Sequence, residues 1–274
     1  MAEASKPRTP RQKYGEELKL RRIAAGMTQE MLSEIVVCSP TLISHFEAGR
    51  RLPNPDDAKR IDVALGTDGF FARWLKDLDP KYPDYFAVVA ELEQQATEIR
   101  EYGSTLIPGL LQTEAYARAV YKVYDPNPRP KDLDEKVVAR RARARLFDGP
   151  LEPVIWTLLD EAALRRKVGG PQVMAEQLHK IADLAEAGRL RLHVLPFRAG
   201  EHALQAGAIY LMSFEDAAPV AYTEGFHTGY LMDDPAMVHR CQVSYSLALG
   251  DALPHKESLA LVRAIAKEYK DEQH

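Results

Sequence analysis

The sequence predicts an all-α N-terminal domain joined to an α+β C-terminal domain with a small sheet. Three observations carry this prediction. Between residues 14 and 66, apolar residues recur every three to four positions, bounded by helix caps and stop glycines. From residue 151 the pattern changes to short apolar or alternating runs that read as strands, interleaved with helical stretches. Charge is also unevenly split: residues 1–66 carry +2 and the remainder −6, within a chain total of −4. A length of 274 residues leaves room for two domains.

The first helix is predicted from about Glu16 to Ala25, stopping at Gly26, with Leu18, Ile23 and Met27 turned inward. Thr28 is a good N-cap for the next helix, and Gln29 and Glu30 occupy its first turn. Met31, Leu32 and Ile35 supply its expected buried stripe. Val36, Val37 and Cys38 read as a turn. Ser39 then caps a further helix, with Pro40 at its first position, where a missing N–H costs nothing. Leu42, Ile43 and Phe46 are expected in the core. Gly49 ends this helix and Arg50-Arg51 follows. A last helix begins near Pro55, buries Ala58, Ile61, Ala64 and Leu65, and ends at Gly66.

Two short helices around a tight turn, the second with small polar side chains on its outer face, form a helix-turn-helix unit. In such a unit the second helix lies in the DNA major groove and the first crosses the backbone. Ser39, Pro40, Thr41, Ser44 and His45 stand on the reading helix, with Thr41, Ser44 and His45 as the base-edge candidates. Gln29 sits at a helix N-terminus that points N–H groups toward a phosphate. Arg50 and Arg51 are the phosphate candidates. Lys6, Arg8, Arg11 and Lys13 make residues 1–13 a basic arm, read either as a DNA-following segment or as a solvated tail.

Residues 14–66 resemble the Xre family, the lambda/434 repressor type. The matching elements are Thr28-Gln29-Glu30, the run Ser39–Ser44, Glu47 with Gly49, and Leu52-Pro53. The resemblance implies a sequence-specific transcription regulator; a homodimer on a double-stranded operator, its two reading helices about one helical turn of DNA apart, is the expectation from helix-turn-helix geometry. The resemblance also implies that Glu47 braces the fold rather than touching DNA.

Residues 67–83 read as a connector whose Phe70, Phe71, Trp74 and Leu75 dock the first domain onto the second or onto another subunit. The C-terminal domain is taken as 84–274. Helices are expected over 84–102, with Val88, Leu92, Ala96 and Ile99 along one face, and over 113–124 and 135–147. The last of these carries Arg140, Arg141, Arg143 and Arg145, read as a solvated or salt-bridged face. Strands are expected at 153–159, 189–197, 208–215 and 220–225. Helices are expected from Asp160 to about Val168, from Pro171 to Gly188 and over 256–270. The stretch 235–250 reads as mixed.

Residues from about 85 to 270 resemble the C-terminal domain of unknown function behind Xre readers in actinomycete WhiJ-like regulators. The matching elements are Ile107–Ala119, Leu159–Leu178, Val194–Phe197 and Glu257-Ser258. The resemblance implies control by a small partner protein encoded nearby, in a toxin–antitoxin or sensor–effector arrangement. An alternative reading is an antitoxin-like interaction module that sequesters that small protein with little DNA reading.

No catalytic constellation stands out, so no enzyme is expected. Asp160 and Glu161 read as a helix cap and a first-turn acid. The histidines lack metal-ligand spacing, and Gly169-Gly170-Pro171 lacks the Lys-Ser/Thr of a phosphate loop, so no metal or cofactor is expected. Trp156, His202, Tyr210, Tyr222, Glu224 and Phe226 are the candidates for a ligand pocket, each of them also readable as ordinary core. Cys38 and Cys241 fall in different domains, which argues against a disulfide framework. With no apolar run of membrane-spanning length and no apolar signal core, a cytoplasmic location is expected, nucleoid-associated when bound to DNA.

Overall fold

The computed structural model describes residues 10–78, 85–124, 130–149, 153–225 and 228–272. The N-terminal part is five helices: α1 (Pro10–Ala24), α2 (Gln29–Val36), α3 (Pro40–Glu47), α4 (Pro55–Leu65) and α5 (Phe70–Leu78). Their core is Tyr14, Leu18, Leu32, Val36, Ile43, Phe46, Ala58, Ile61, Phe71 and Leu75.

Ile23, expected to face inward from α1, is 57% exposed. Three further features depart from the sequence-based expectation. Helix α1 begins at Pro10, so Arg11 and Lys13 lie on it rather than on an arm, while residues 1–9 are outside the described part. In α2 the buried face is Leu32, Ser33 and Val36, whereas Met31 and Ile35 are exposed. The adjacent apolar pairs Met31-Leu32 and Ile35-Val36 fit two rotations of the helix equally well. The observed one is workable because the Ser33 hydroxyl donates to the Glu30 carbonyl at 2.7 Å and so enters the core satisfied.

The third departure is the connector. Its aromatic residues close the helical domain's own core. Phe71 is buried, its ring 5.3 Å from that of Tyr14, and the Trp74 ring lies 5.4 Å from both Tyr14 and Phe70. The carboxylate of Asp62 accepts from the backbone N–H groups of Phe71 and Ala72, both at 2.9 Å, and so caps α5.

The C-terminal part is built on a six-stranded mixed sheet in the order β3-β2-β1-β4-β5-β6. The strands are β1 (Glu98–Gly103), β2 (Val154–Asp160), β3 (Arg191–Leu195), β4 (Ile209–Ser213), β5 (Val220–Gly225) and β6 (Thr228–Met232). β1, β2 and β3 run parallel, and β4, β5 and β6 continue antiparallel. One face is covered by α10 (Pro171–Glu186) and α12 (His255–Asp271), which pack on each other and enclose the largest core. The other face is covered by α11 (Pro235–Gly250), which buries Val238, Tyr245 and Ala248 against Tyr102, Leu158, Ile209 and Leu211. The shorter helices α6 (Tyr85–Glu93), α7 (Glu114–Tyr124), α8 (Pro130–Arg143) and α9 (Glu161–Arg165) complete the domain.

Here the helix expected over 84–102 ends at Glu93, and the chain re-enters as β1 at the centre of the sheet. Strand β1 reads Glu-Ile-Arg-Glu-Tyr-Gly, whose charges hide it from pattern reading. The tertiary setting makes it a strand: Glu101 lies opposite Thr157, whose hydroxyl donates to its carboxyl at 2.7 Å. β6 was not expected, and the mixed stretch 235–250 is a continuous helix. Asp160 caps α9 by accepting from the Ala162 N–H at 2.8 Å, as the sequence suggests.

Candidate nucleic-acid interface

Both helices of the unit are capped as the sequence dictates. Thr28 Oγ1 accepts from Met31 N–H and Ser39 Oγ from Leu42 N–H, each at 3.1 Å, with Pro40 at the start of α3. The turn between them is made by Val37, which takes a left-handed conformation at φ 61° and caps α2 through its N–H to the Ser33 carbonyl. The approach of α1 to α3 needs a residue without a side chain: a Cβ on Gly15 would collide with the carbonyl oxygens of Phe46 and Glu47.

A buried polar brace locks the three helices. Arg22 on α1 donates through Nε and Nη2 to the two Glu47 carboxylate oxygens at 2.5 and 3.0 Å, and through Nη1 to the Met27 carbonyl at 2.6 Å. Gln29 at the start of α2 donates its amide to Glu47 Oε2 at 2.8 Å. Gln29 is thus half-buried and engaged by the brace, while its backbone N–H remains at the helix N-terminus. Glu47 has the bracing position that the Xre resemblance implies.

On α3, Pro40 is exposed and Ser39, Thr41 and Ser44 are half-buried on the outer side. These four are brought together on one surface of the helix. His45 departs from its expected base-edge role: only 1% exposed, it points inward. Its charged neighbours are Asp233, Arg50 and Arg51, so it is covered where α3 meets the sheet domain. Burial drives its pKa down to about 4, so the ring is neutral over the ordinary pH range.

Arg50 and Arg51 also depart from a simple phosphate role, because both are occupied by the sheet domain. Arg50 Nη2 lies 2.6 Å from Asp216 Oδ1, and Arg51 Nη1 lies 2.5 Å from Asp233 Oδ2. The Arg50 guanidinium also stacks 4.1 Å over the Phe214 ring. Hydrogen bonding from Arg50 holds the Asp216 carboxyl below the usual carboxylate range. A cleft of about 600 Å³ opens beside this contact, lined by Arg50, Thr97, Arg145 and Asp216 among others.

The residues expected to form a ligand pocket are divided by the sheet. Trp156 stands on the α11 face, stacked on His193 at 5.8 Å, and His202 joins that side through Tyr102 and Asp160. Tyr210, Tyr222 and Glu224 stand on the opposite face, with the two tyrosine rings 6.3 Å apart. Side chains alternate across a strand, so these two sets cannot line one cavity. Phe226 lies outside the described residues.

Near Tyr210 is a buried polar cluster. Arg143 binds Glu93 through two hydrogen bonds of 2.8 and 2.5 Å, and Glu101 adjoins them. Arg141 pairs with Glu114 at 3.0 Å and Arg140 donates to the Tyr121 hydroxyl at 2.9 Å. The basic helix is therefore a salt-bridged one. Among the described residues, no group of three or more His, Cys, Asp or Glu side chains is placed to hold a metal, and no helix is long and apolar enough to cross a membrane.

Residues 13–70 match a family model described as a helix-turn-helix domain. Residues 86–264 match one described as a domain of unknown function, DUF5753. The chain belongs to the DUF5753 family. The comparisons with curated proteins and with solved structures found no match. A helix-turn-helix domain ahead of a DUF5753 domain supports a DNA-binding regulator.

Sequence reasoning did not find the two DUF5753-domain acids that meet Arg50 and Arg51. Asp216 follows β4 and Asp233 follows β6, each within an ordinary acidic loop. A surplus of negative charge after residue 66 was visible in composition, but its point of contact is a property of the fold.

Proposed function

We propose that this protein is a sequence-specific transcription regulator that binds a double-stranded DNA operator as a homodimer. The observation that carries the reading is the outer side of α3, where Ser39, Pro40, Thr41 and Ser44 gather on a helix held rigid by Arg22, Glu47 and Gln29. Small hydroxyl side chains let a helix backbone come close to base edges while still offering hydrogen bonds. Two such helices in a dimer would meet half-sites one helical turn apart.

The DUF5753 domain supplies control, through a small partner protein encoded nearby or a small ligand, and catalyses no reaction. Exposed Val243 and Leu247, one turn apart on the outward side of α11, favour a protein contact there. Such a regulator acts in the cytoplasm, at the nucleoid when bound to its operator.

A footprint on the DNA upstream of its own gene tests the reading. The expected result is a protected, salt-sensitive site that Thr41→Ala with Ser44→Ala weakens or retargets. Unchanged operator preference in that double variant would show that α3 is not the reading helix. Sedimentation of the free protein and of its mixture with the neighbouring gene product tests the dimer and the partner.

A further inference from the structure

Two loops of the DUF5753 domain converge on two adjacent cations of the helical domain. Asp216 belongs to the turn between β4 and β5, and Asp233 follows the end of β6. Because β5 is antiparallel to both neighbours, the start of β5 and the end of β6 lie at one end of the sheet. The topology thus sets two carboxylates, seventeen positions apart, on one rim. They meet Arg50 and Arg51, the first cations after the reading helix.

The fit is incomplete in a way that matters. The Arg50 side chain is 3% exposed, yet among the described residues its Nε and Nη1 have no hydrogen-bond partner. A guanidinium has five N–H donors, and a buried donor left unmade carries a desolvation cost. Phe214 covers one face of the guanidinium but accepts none of the N–H groups that point outward in its plane. The Asp216 side chain is 75% exposed, so its hold on Arg50 is screened by water and salt. Arg51 is also partly exposed, at 42%. An anion with more acceptor oxygens, such as a DNA phosphate, would satisfy these arginines better than one carboxylate each.

We infer that the DUF5753 domain holds the helix-turn-helix domain in a closed form, in which Asp216 and Asp233 occupy Arg50 and Arg51 in place of DNA phosphates. This rests on the DNA-binding reading above. DNA and the rim compete for the same two side chains, so any partner or ligand that draws the rim away raises DNA affinity, and any that seals it lowers affinity. The direction of control is written into the contact: the closed form is the weak binder.

The test uses the full chain and a fluorescent DNA duplex of mixed sequence, read by anisotropy over a salt series. One protein carries Asp216→Asn with Asp233→Asn. A control of equal charge change carries Glu201→Gln with Asp251→Asn, at two exposed acids of the same domain. Release of two partly exposed ion pairs should tighten binding roughly tenfold beyond the control. In a background of Arg50→Gln with Arg51→Gln, the same aspartate changes should tighten nothing beyond the control.

Equal tightening in rim and control variants would overturn the closed form while leaving DNA binding intact. Tightening that persists without the two arginines would overturn it equally. Failure of every variant and of the unaltered chain to bind the duplex at low salt would instead remove the DNA-binding reading, and the closed form with it.

Discussion

Arg22 and Glu47 form a two-pronged ion pair that ties the first helix to the end of α3, at 2.5 and 3.0 Å. Both side chains are nearly covered, at 10% and 3% exposure. Removing one partner strands the other charge away from water, at a cost of about 3–5 kcal/mol. Arg22→Met is therefore expected to lower unfolding free energy of the helical domain by about that much in urea titration. Replacing both residues by apolar ones of similar size should cost far less, which a double-mutant cycle would read directly.

Val37 holds a left-handed backbone with a branched side chain that is 79% exposed and packs on little. Left-handed geometry costs a Cβ-bearing residue about 1–2 kcal/mol. Val37→Gly should stabilise the domain by about 1 kcal/mol, seen as a higher melting temperature. A lower one would mean that the Val37 side chain makes a contact of greater worth than the strain.

Gly15→Ala should act the other way. The new methyl group meets the carbonyls of Phe46 and Glu47, which are backbone atoms and cannot swing aside. Helices α1 and α3 must separate, so a loss of about 1–3 kcal/mol is expected, together with weaker DNA protection.

Burial lowers the His45 pKa from 6.5 to about 4 in the folded chain. A histidine kept neutral by folding contributes stability that is complete above its unfolded pKa and lost as pH falls through the folded value. Between pH 6.5 and 4 this amounts to roughly 3 kcal/mol. Denaturant curves for the parent chain should steepen their decline in that window, and His45→Leu should flatten it. Parallel declines in both proteins would place the acid sensitivity elsewhere.

Glu101 has the opposite sign. Burial raises its carboxyl to about 8, so it is held protonated in the fold at neutral pH. Its stabilising share is complete below about 4.5 and is lost as pH rises through 8. Glu101→Gln keeps an acceptor for the Thr157 hydroxyl and cannot ionise. It should match the parent at acid pH and exceed it at pH 9, by unfolding calorimetry.

The helical domain was largely legible because caps are local chemistry: Thr28, Ser39, Pro40 and Gly49 announce helix ends without reference to the rest of the chain. Rotation about an axis is not local, which is why Met31 and Ile35 were placed inward. His45 departs for a related reason: its residue type suits a groove, but it is covered beside Asp233 of the distant sheet domain. In the sheet domain, β2, β4 and β5 show as apolar runs, whereas β1 carries three charges: Glu98 and Arg100 pair with each other, and the buried Glu101 is satisfied by Thr157, 56 positions along the chain. The hydroxyl-bearing side of α3 was legible from composition and spacing. The acids that meet Arg50 and Arg51 were not, because they are 166 and 182 positions away in sequence.

Trp74 and Trp156 are the chain's two indoles, one wedged among the rings of α5 and α1 and the other laid flat on His193. Each domain therefore owns a single tryptophan in its own surroundings, excitable apart from the tyrosines at the red edge of its absorption. Substituting either one by Phe leaves a chain whose emission reports melting of one half alone. Whether the halves unfold together or in succession becomes a question for a cuvette, with no label attached.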